Sequence, residues 1–442
     1  MTARSTFSLA SITSCPLQNT EPMGSHRNSV LEGNVLVGQS GGPTCVINQS
    51  LVGVVEEALK HKHISRVYGA IHGIQGVLKQ ELIDLGAESR ATLRAVRATP
   101  SAALGSVRKK PEPKECEHIF RILQAHNIRY FFYIGGNDSA ETAHIINSLA
   151  QASSYELRVG HIPKTIDNDL LVTDHCPGYG SAARFVALAH MGDNLDNRAL
   201  RGVKINVIMG RHAGFLTAAA GLGRKDKDDG PHLIYVPEVA FSLEKFCEDV
   251  DATLKKWGRC IVAVSEGIAD KDHNPIFTTG ERDSHGNVQL SGTGALGDYL
   301  ADIVKTRLKV ARVRADTFGY LQRSFATIVS PVDAKEASEV ARFGVRALAR
   351  GEAESGSVAI RRLSKKGKYA SEFFMTDLMN VAKKTRSLDS KFIAPAGNDI
   401  TQAFKRYALP LVGNLPELGR LKGKRVPKKS VPEPQGQELP AI

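Results

Sequence analysis

Seven consecutive residues, Pro163-Lys164-Thr165-Ile166-Asp167-Asn168-Asp169, place an ammonium, a hydroxyl and two carboxylates directly after a strand-like run. On an extended backbone side chains alternate, so Asp167 and Asp169 are expected to face the same way. Such a pair can divide labour, Asp167 taking a proton from an alcohol while Asp169 helps to hold Mg²⁺ against a phosphate. Asp-Asn-Asp is also a common turn composition, so this stretch alone leaves both readings open.

The elements that must position these groups follow one grammar. Val35-Leu36-Val37 runs into Gly38-Gln39-Ser40-Gly41-Gly42-Pro43, after which apolar residues recur at helical spacing from Val46 to Leu59. Tyr130 to Ile134 runs into Gly135-Gly136-Asn137-Asp138-Ser139 and a helix, and Arg158 to Ile162 runs into the seven residues above. Ile205 to Ile208 leads to Met209-Gly210-Arg211 and an Ala-rich helix from about Phe215. His232 to Val236 reads as a strand, Leu243 to Trp257 as a helix, and Cys260 to Val264 as a strand ending in Ser265-Glu266-Gly267. Gly297 to Lys309 reads as a helix, Arg314 to Arg323 as a strand and its exit, Asp333 to Arg350 as a helix and Ser357 to Arg361 as a short edge strand. The alternation predicts an α/β fold of two Rossmann-like, three-layer lobes with mostly parallel sheets and an active site in the cleft between them. In such folds ligands sit beyond the carboxyl ends of the strands, where nearly all of these polar motifs fall.

Composition narrows the function. The chain has 442 residues, 42% hydrophobic and 24% charged, ordinary for a soluble globular protein, and no apolar run approaches the length needed to span a bilayer. Six scattered cysteines form no CxxC pair, which predicts neither a zinc site nor a disulfide framework and fits a reducing cytoplasm. A net charge of +12 suits a polyanionic ligand. Many basic residues stand singly beside glycine turns, as Arg108, Lys164 and Arg211 do, which suits small phosphates rather than nucleic acid. The basic cluster Arg420 to Lys429 is expected to be a solvated tail, residues 1–33 a poorly ordered one, and 269–294 a surface loop.

If the motifs share one reaction, it is phosphoryl transfer, which needs a base, a metal bridge and neutralisation of charge around the moving group. Asp167 is the candidate base. Asp169 with Asn137 or Asp138 would support Mg²⁺, Gly41, Gly42, Gly135 and Gly136 would let backbone approach phosphate, and Lys164 and Arg108 would supply positive charge. Glu266 could accept hydrogen bonds from sugar hydroxyls.

The ordered set Gly41-Gly42, Leu-Gly-Ser-Val-Arg108, Gly-Gly-Asn-Asp-Ser139, Pro-Lys-Thr-Ile-Asp-Asn-Asp169, Met-Gly-Arg211, Ser-Glu-Gly267 and Gly-Tyr-Leu-Gln-Arg323 resembles the phosphofructokinase family over about residues 34–350, most closely its pyrophosphate-dependent branch. The resemblance implies reversible transfer from pyrophosphate to the 1-hydroxyl of fructose 6-phosphate with Mg²⁺, in glycolysis, by a homodimer or higher oligomer. It implies Asp167 as base with Lys164 and Thr165 at the reaction centre, and Asp169 at the metal. Met209, Gly210, Arg211, Glu266, Tyr320 and Arg323 would lie around the sugar phosphate, with Arg314 on a phosphate. A donor lobe of 34–178 plus about 322–375, a sugar-phosphate lobe of 179–321 and a C-terminal extension of 376–442 are expected. Where ATP users of the family resemble Gly-Gly-Asp-Gly and Pro-Gly-Thr-Ile-Asp, this chain has Asp138 in place of the last glycine of the first motif and Lys164 in place of the glycine of the second. Side chains there remove room for a nucleotide's α-phosphate and ribose, so the expected donor is pyrophosphate. Three departures stand out: Asn137 replaces an aspartate on the metal side, Tyr320 stands where many relatives have His, and Gly202 falls where an ATP-type enzyme has a subunit-bridging arginine.

Overall fold

A computed structural model describes residues 30–277, 294–365, 368–382 and 385–430 except 422 and 425. The expected 269–294 loop therefore lies largely outside the described residues, as do positions 1–29 of the expected tail. Residues 30–33 are described: Leu31 is buried and Gly33 already opens the first strand.

Two sheets organise the chain. The larger contains β1 (Gly33–Gln39), β2 (Ile64–Ala70), β3 (Leu82–Asp84), β4 (Ile128–Gly135) and β5 (Arg158–Pro163). The smaller contains β6 (Val203–Ile208), β7 (Leu233–Tyr235), β8 (Cys260–Ser265) and β9 (Val313–Thr317). The chain then returns to the first sheet with β10 (Ser355–Lys365) and β11 (Lys368–Thr376). Strand order is β11-β10-β5-β4-β1-β2-β3 in one and β7-β8-β6-β9 in the other. All pairings are parallel except β2 with β3 and β10 with β11.

Why β1 and β4 read as unbroken apolar runs is visible in the packing, since a parallel strand covered on both faces has no polar side. Val35 and Val37 of β1 join Tyr130, Phe132 and Ile134 of β4 in a core under the helices Ile47–Ala58 and Pro331–Ala349. The alternate residues, Leu36, Phe131 and Tyr133, face the opposite core beneath Pro113–Ala125 and Asn137–Ala152. The two helices of the first core pack closely at Gly53, where a Cβ would lie 2.7 Å from the Ser338 carbonyl oxygen. Ser50 Oγ donates to the Ala337 carbonyl at 2.9 Å across the same contact.

The Ala-rich helix forms where expected, over Phe215–Ala219, and tightens into a 3₁₀ turn. Two expectations are corrected. Ser357 to Arg361 belongs to an eleven-residue strand that is not an edge, because β11 pairs along its outer side. Residues 164–169 are not extended: β5 stops at Pro163, and Asn168 takes a left-handed φ of 59°. The basic cluster is exposed where it is described, and Arg420 within it is ion-paired, with Asp226 at 2.6 Å and with Asp229.

The helix Tyr179–Ala199 leads from the first sheet into the second, and Gln402–Val412 packs against it in a core with Phe215, Phe392 and Phe404. The five cysteines among the described residues are free and buried. No helix among them is long and apolar enough to cross a membrane.

Candidate active site

Parallel strands release their carboxyl ends toward one edge, and a cleft of about 240 Å³ forms there between the two sheets. Gly41 and Gly42 enter from the end of β1, Gly136, Asn137 and Asp138 from β4, and Lys164 to Asp169 from β5. Met209 comes from the end of β6, and Arg323 from the one-turn helix Leu321–Ser324 beyond β9. Arg108 arrives on the irregular segment that precedes Pro113–Ala125.

Register fixes these ends relative to one another. Gly135 of β4 pairs with Pro163 of β5, so the Lys164 amide donates to the Gly135 carbonyl at 2.9 Å. Lys164 then reaches across, its Nζ donating to the Gly42 carbonyl at 2.5 Å. Gly41 has a φ of +73°, and a Cβ on Gly42 would lie 3.0 Å from Arg323 Nη1, so both positions favour the absent side chain.

Three cations meet here. Lys164 is 3% exposed, and burial, with the charges of Arg323 and Arg108, pushes its ammonium down to about 7. Burial and the Arg108 charge also lower Arg323, whose guanidinium stacks over the Tyr320 ring at 4.2 Å. Among the described residues none of the three forms an ion pair, so the cleft is built to receive an anion.

The carboxylates stand opposite. Burial, then the charges of Asp169 and Glu266, raise the Asp167 carboxyl far above the usual range, and its Oδ1 is buried with no hydrogen-bond partner. Burial also raises Asp169, against the opposing effect of the Thr165 hydroxyl, which donates to its Oδ1 at 3.1 Å. Thr165 Oγ1 accepts from the Asp167 amide at 3.1 Å, closing a tight turn. That turn, rather than strand alternation, brings both carboxylates into one cleft.

Of the residues singled out from sequence, Gly41, Gly42, Arg108, Asn137, Asp138, Lys164, Thr165, Asp167, Asp169, Met209 and Arg323 line the cleft. Gly210 and Glu266 are buried and outside the lining, the Gly210 amide donating to Glu266 Oε1 at 3.4 Å. Tyr320 is 48% exposed and contributes beneath Arg323, while Arg211 is half-buried outside the lining. Arg314 is exposed on β9, the edge strand of the smaller sheet, and does not line the cleft. Lys109 and Lys110 line it and were not singled out; their signal was the unbroken Arg-Lys-Lys run. Lys110 pairs with Asp138 at 3.0 Å and Glu141 at 2.8 Å, which holds the exposed Asp138 at the rim.

Among the described residues no group of three or more His, Cys, Asp or Glu side chains forms a metal cage. Mg²⁺ needs none, since it binds through one or two carboxylates, water and substrate phosphates. Asp169 and Asn137, whose side-chain amide reaches the Asp169 carboxylate at 3.4 Å, are a donor set of that kind.

Layered parallel sheets with a cation-lined, carboxylate-bearing cleft at their carboxyl ends define an α/β protein that takes a phosphate-bearing ligand. Residues 34–348 match the phosphofructokinase family, and the chain belongs to it. It is 53% identical over 404 residues to the pyrophosphate–fructose 6-phosphate 1-phosphotransferase of Rhodospirillum rubrum, covering 90% of this chain and 99% of that one. It is 36% identical to the enzyme of the same name from Methylococcus capsulatus, covering 90% and 97%. The crystal structure of the pyrophosphate-dependent phosphofructokinase from Marinobacter aquaeolei superposes with a TM-score of 0.78 at 34% identity, covering 90% of this chain and 98% of the other.

Proposed function

We propose that this chain is an enzyme that reversibly transfers a phosphoryl group from pyrophosphate to the 1-hydroxyl of fructose 6-phosphate, giving fructose 1,6-bisphosphate and phosphate. The observation that carries the reading is the sharing of one cleft by Asp167, whose Oδ1 is buried with no hydrogen-bond partner, and three mutually repelling cations, Lys164, Arg108 and Arg323. The relatives described above support it.

In this reading Asp167 accepts the proton of the attacking hydroxyl, and its raised basicity suits a base working near neutral pH. Lys164 and Arg108 neutralise the pyrophosphate, and Lys164 spans donor and acceptor because it is anchored on Gly42. Asp169 and Asn137 would hold Mg²⁺, with Asp138 beside them at the rim, and the bound ion would supply positive charge to offset the charge developing on the transferring phosphoryl group. Thr165 orients Asp169. Met209, Gly210, Glu266, Tyr320 and Arg323 contact the sugar phosphate, and Arg211 lies next to them.

The lobe of 34–178 plus about 322–375 takes the donor, and the lobe of 179–321 takes the sugar phosphate. Exposed Arg314 serves a phosphate in a homodimer or higher oligomer, and the enzyme works in the cytoplasm. The test is bisphosphate formation by purified protein with Mg²⁺, comparing pyrophosphate with ATP. Turnover with pyrophosphate and little with ATP is expected. ATP-only activity would overturn the donor assignment, and none with either would favour a regulatory sugar-phosphate-binding subunit.

A further inference from the structure

The turn that carries Asp167 and Asp169 has little regular structure from Lys164 to Cys176, so its carbonyls need partners from elsewhere. Many come from one residue. The Arg386 guanidinium donates through Nε and Nη2 to the Asn168 carbonyl at 3.2 and 2.7 Å, and through Nη1 to the carbonyls of Thr173 and Asp174 at 2.8 and 2.9 Å. The Arg386 backbone amide donates to the Asp169 carbonyl at 2.7 Å. Its guanidinium lies over the Phe215 ring at 4.9 Å.

A second residue grips the same turn. Asn168, fully buried between the two carboxylates, donates from Nδ2 to the Tyr407 hydroxyl at 2.8 Å and accepts the Cys176 amide at 3.0 Å. The Tyr407 hydroxyl in turn donates to the Asp174 carbonyl at 2.8 Å. With Asn168 pulled inward at a φ of 59°, its neighbours on either side are turned toward the cleft. Both Arg386 and Tyr407 lie beyond the family match, which ends at residue 348.

We propose that Arg386 is a positioning residue that, with Tyr407, fixes the turn from which Asp167 and Asp169 act. It does not line the cleft. The role rests on the proposed function, which makes those carboxylates the base and the metal support. A planar fork is required, because the four hydrogen bonds from three separate nitrogens exceed the three donors that a lysine ammonium carries on one atom. The segment after the matched domain is thus part of the catalytic apparatus.

The experiment uses the full chain with pyrophosphate, fructose 6-phosphate and Mg²⁺. Transfer by the wild type comes first: its absence overturns the proposed function and this inference with it. Given an active wild type, Arg386→Ala is expected to lower kcat about 100-fold with each KM within about threefold, the signature of a displaced reacting group rather than a lost binding contact. Millimolar guanidinium is expected to restore much of the loss, and Arg386→Lys little. A folded Arg386→Ala with kcat within about threefold of wild type overturns the proposal, as does loss without guanidinium rescue. If Arg386→Ala does not fold, Tyr407→Phe decides, since it removes one hydroxyl and keeps the ring: a kcat lowered about tenfold supports the role, and an undiminished one overturns it.

Discussion

Lys164 Nζ lies 2.5 Å from the Gly42 carbonyl oxygen, so a side chain from the end of β5 closes over the end of β1 and sets the floor on which a donor must sit. Replacing it with methionine keeps the stem and removes the charge. Lys164→Met is expected to lower pyrophosphate-dependent kcat about 10²- to 10³-fold, measured by steady-state kinetics. Lys164→Gly combined with Asp138→Gly should also raise ATP use; an unchanged donor preference would sink the steric account of donor choice.

Asp167→Asn separates chemistry from stability. As the general base is lost, kcat should fall by about 10²-fold or more. Because burial and the charges of Asp169 and Glu266 oppose an ionised Asp167, the neutral amide should at the same time raise the melting temperature at pH 8. Undiminished transfer would remove Asp167 from the role of base.

His175 gives a pH signature in stability. Its ring bridges Asp174 at 2.8 Å and Glu336 at 2.7 Å, and the Tyr369 hydroxyl donates to Glu336 at 2.5 Å. Although burial disfavours the charge, the two carboxylates raise the imidazole above its ordinary value of 6.5. A raised folded value stabilises fully below the unfolded one, and that part is lost as pH rises through the folded value. Asp174, held down to about 2, and Glu336, also lowered, stabilise above their unfolded values and lose this only in acid. Stability should therefore be greatest near pH 5 to 6 and decline on the alkaline side, as followed by denaturant midpoints. His175→Gln should remove that alkaline decline; a variant that keeps it would locate the titration elsewhere.

Gly53→Ala tests the helix contact. A methyl 2.7 Å from the Ser338 carbonyl must push the two helices apart, and a loss of about 1 to 3 kcal/mol is expected by urea unfolding. The gain in helix propensity, about 1 kcal/mol, opposes it without reversing it.

The sequence was most legible where apolar runs meet glycines. β1, β4 and β5 are buried on both faces, so apolar residues dominate each run before the turn that carries the chemistry, with His161 of β5 a buried, hydrogen-bonded exception. β2 was missed because Ser65 and Arg66 are exposed within it. Tyr179–Ala199 was missed because small and polar residues, Gly180, Ser181, His190, Asn194 and Asn197, share its buried face and dilute the alanine-rich apolar stripe. At the site, Lys164, Asp167 and Asp169 could be found because their types cluster within a few residues. Arg386 and Tyr407 could not, as they meet Asn168 across separations of 218 and 239 residues and nothing local marks them.

One consequence of the crowded cations reaches into solution. An ammonium held near 7 is only partly protonated at neutral pH, so an arriving polyanion that raises its affinity for hydrogen ions is expected to draw the missing fraction of a proton from the buffer. Donor saturation then carries that uptake with it, and the heat of binding scales with the ionisation enthalpy of whichever buffer supplies it.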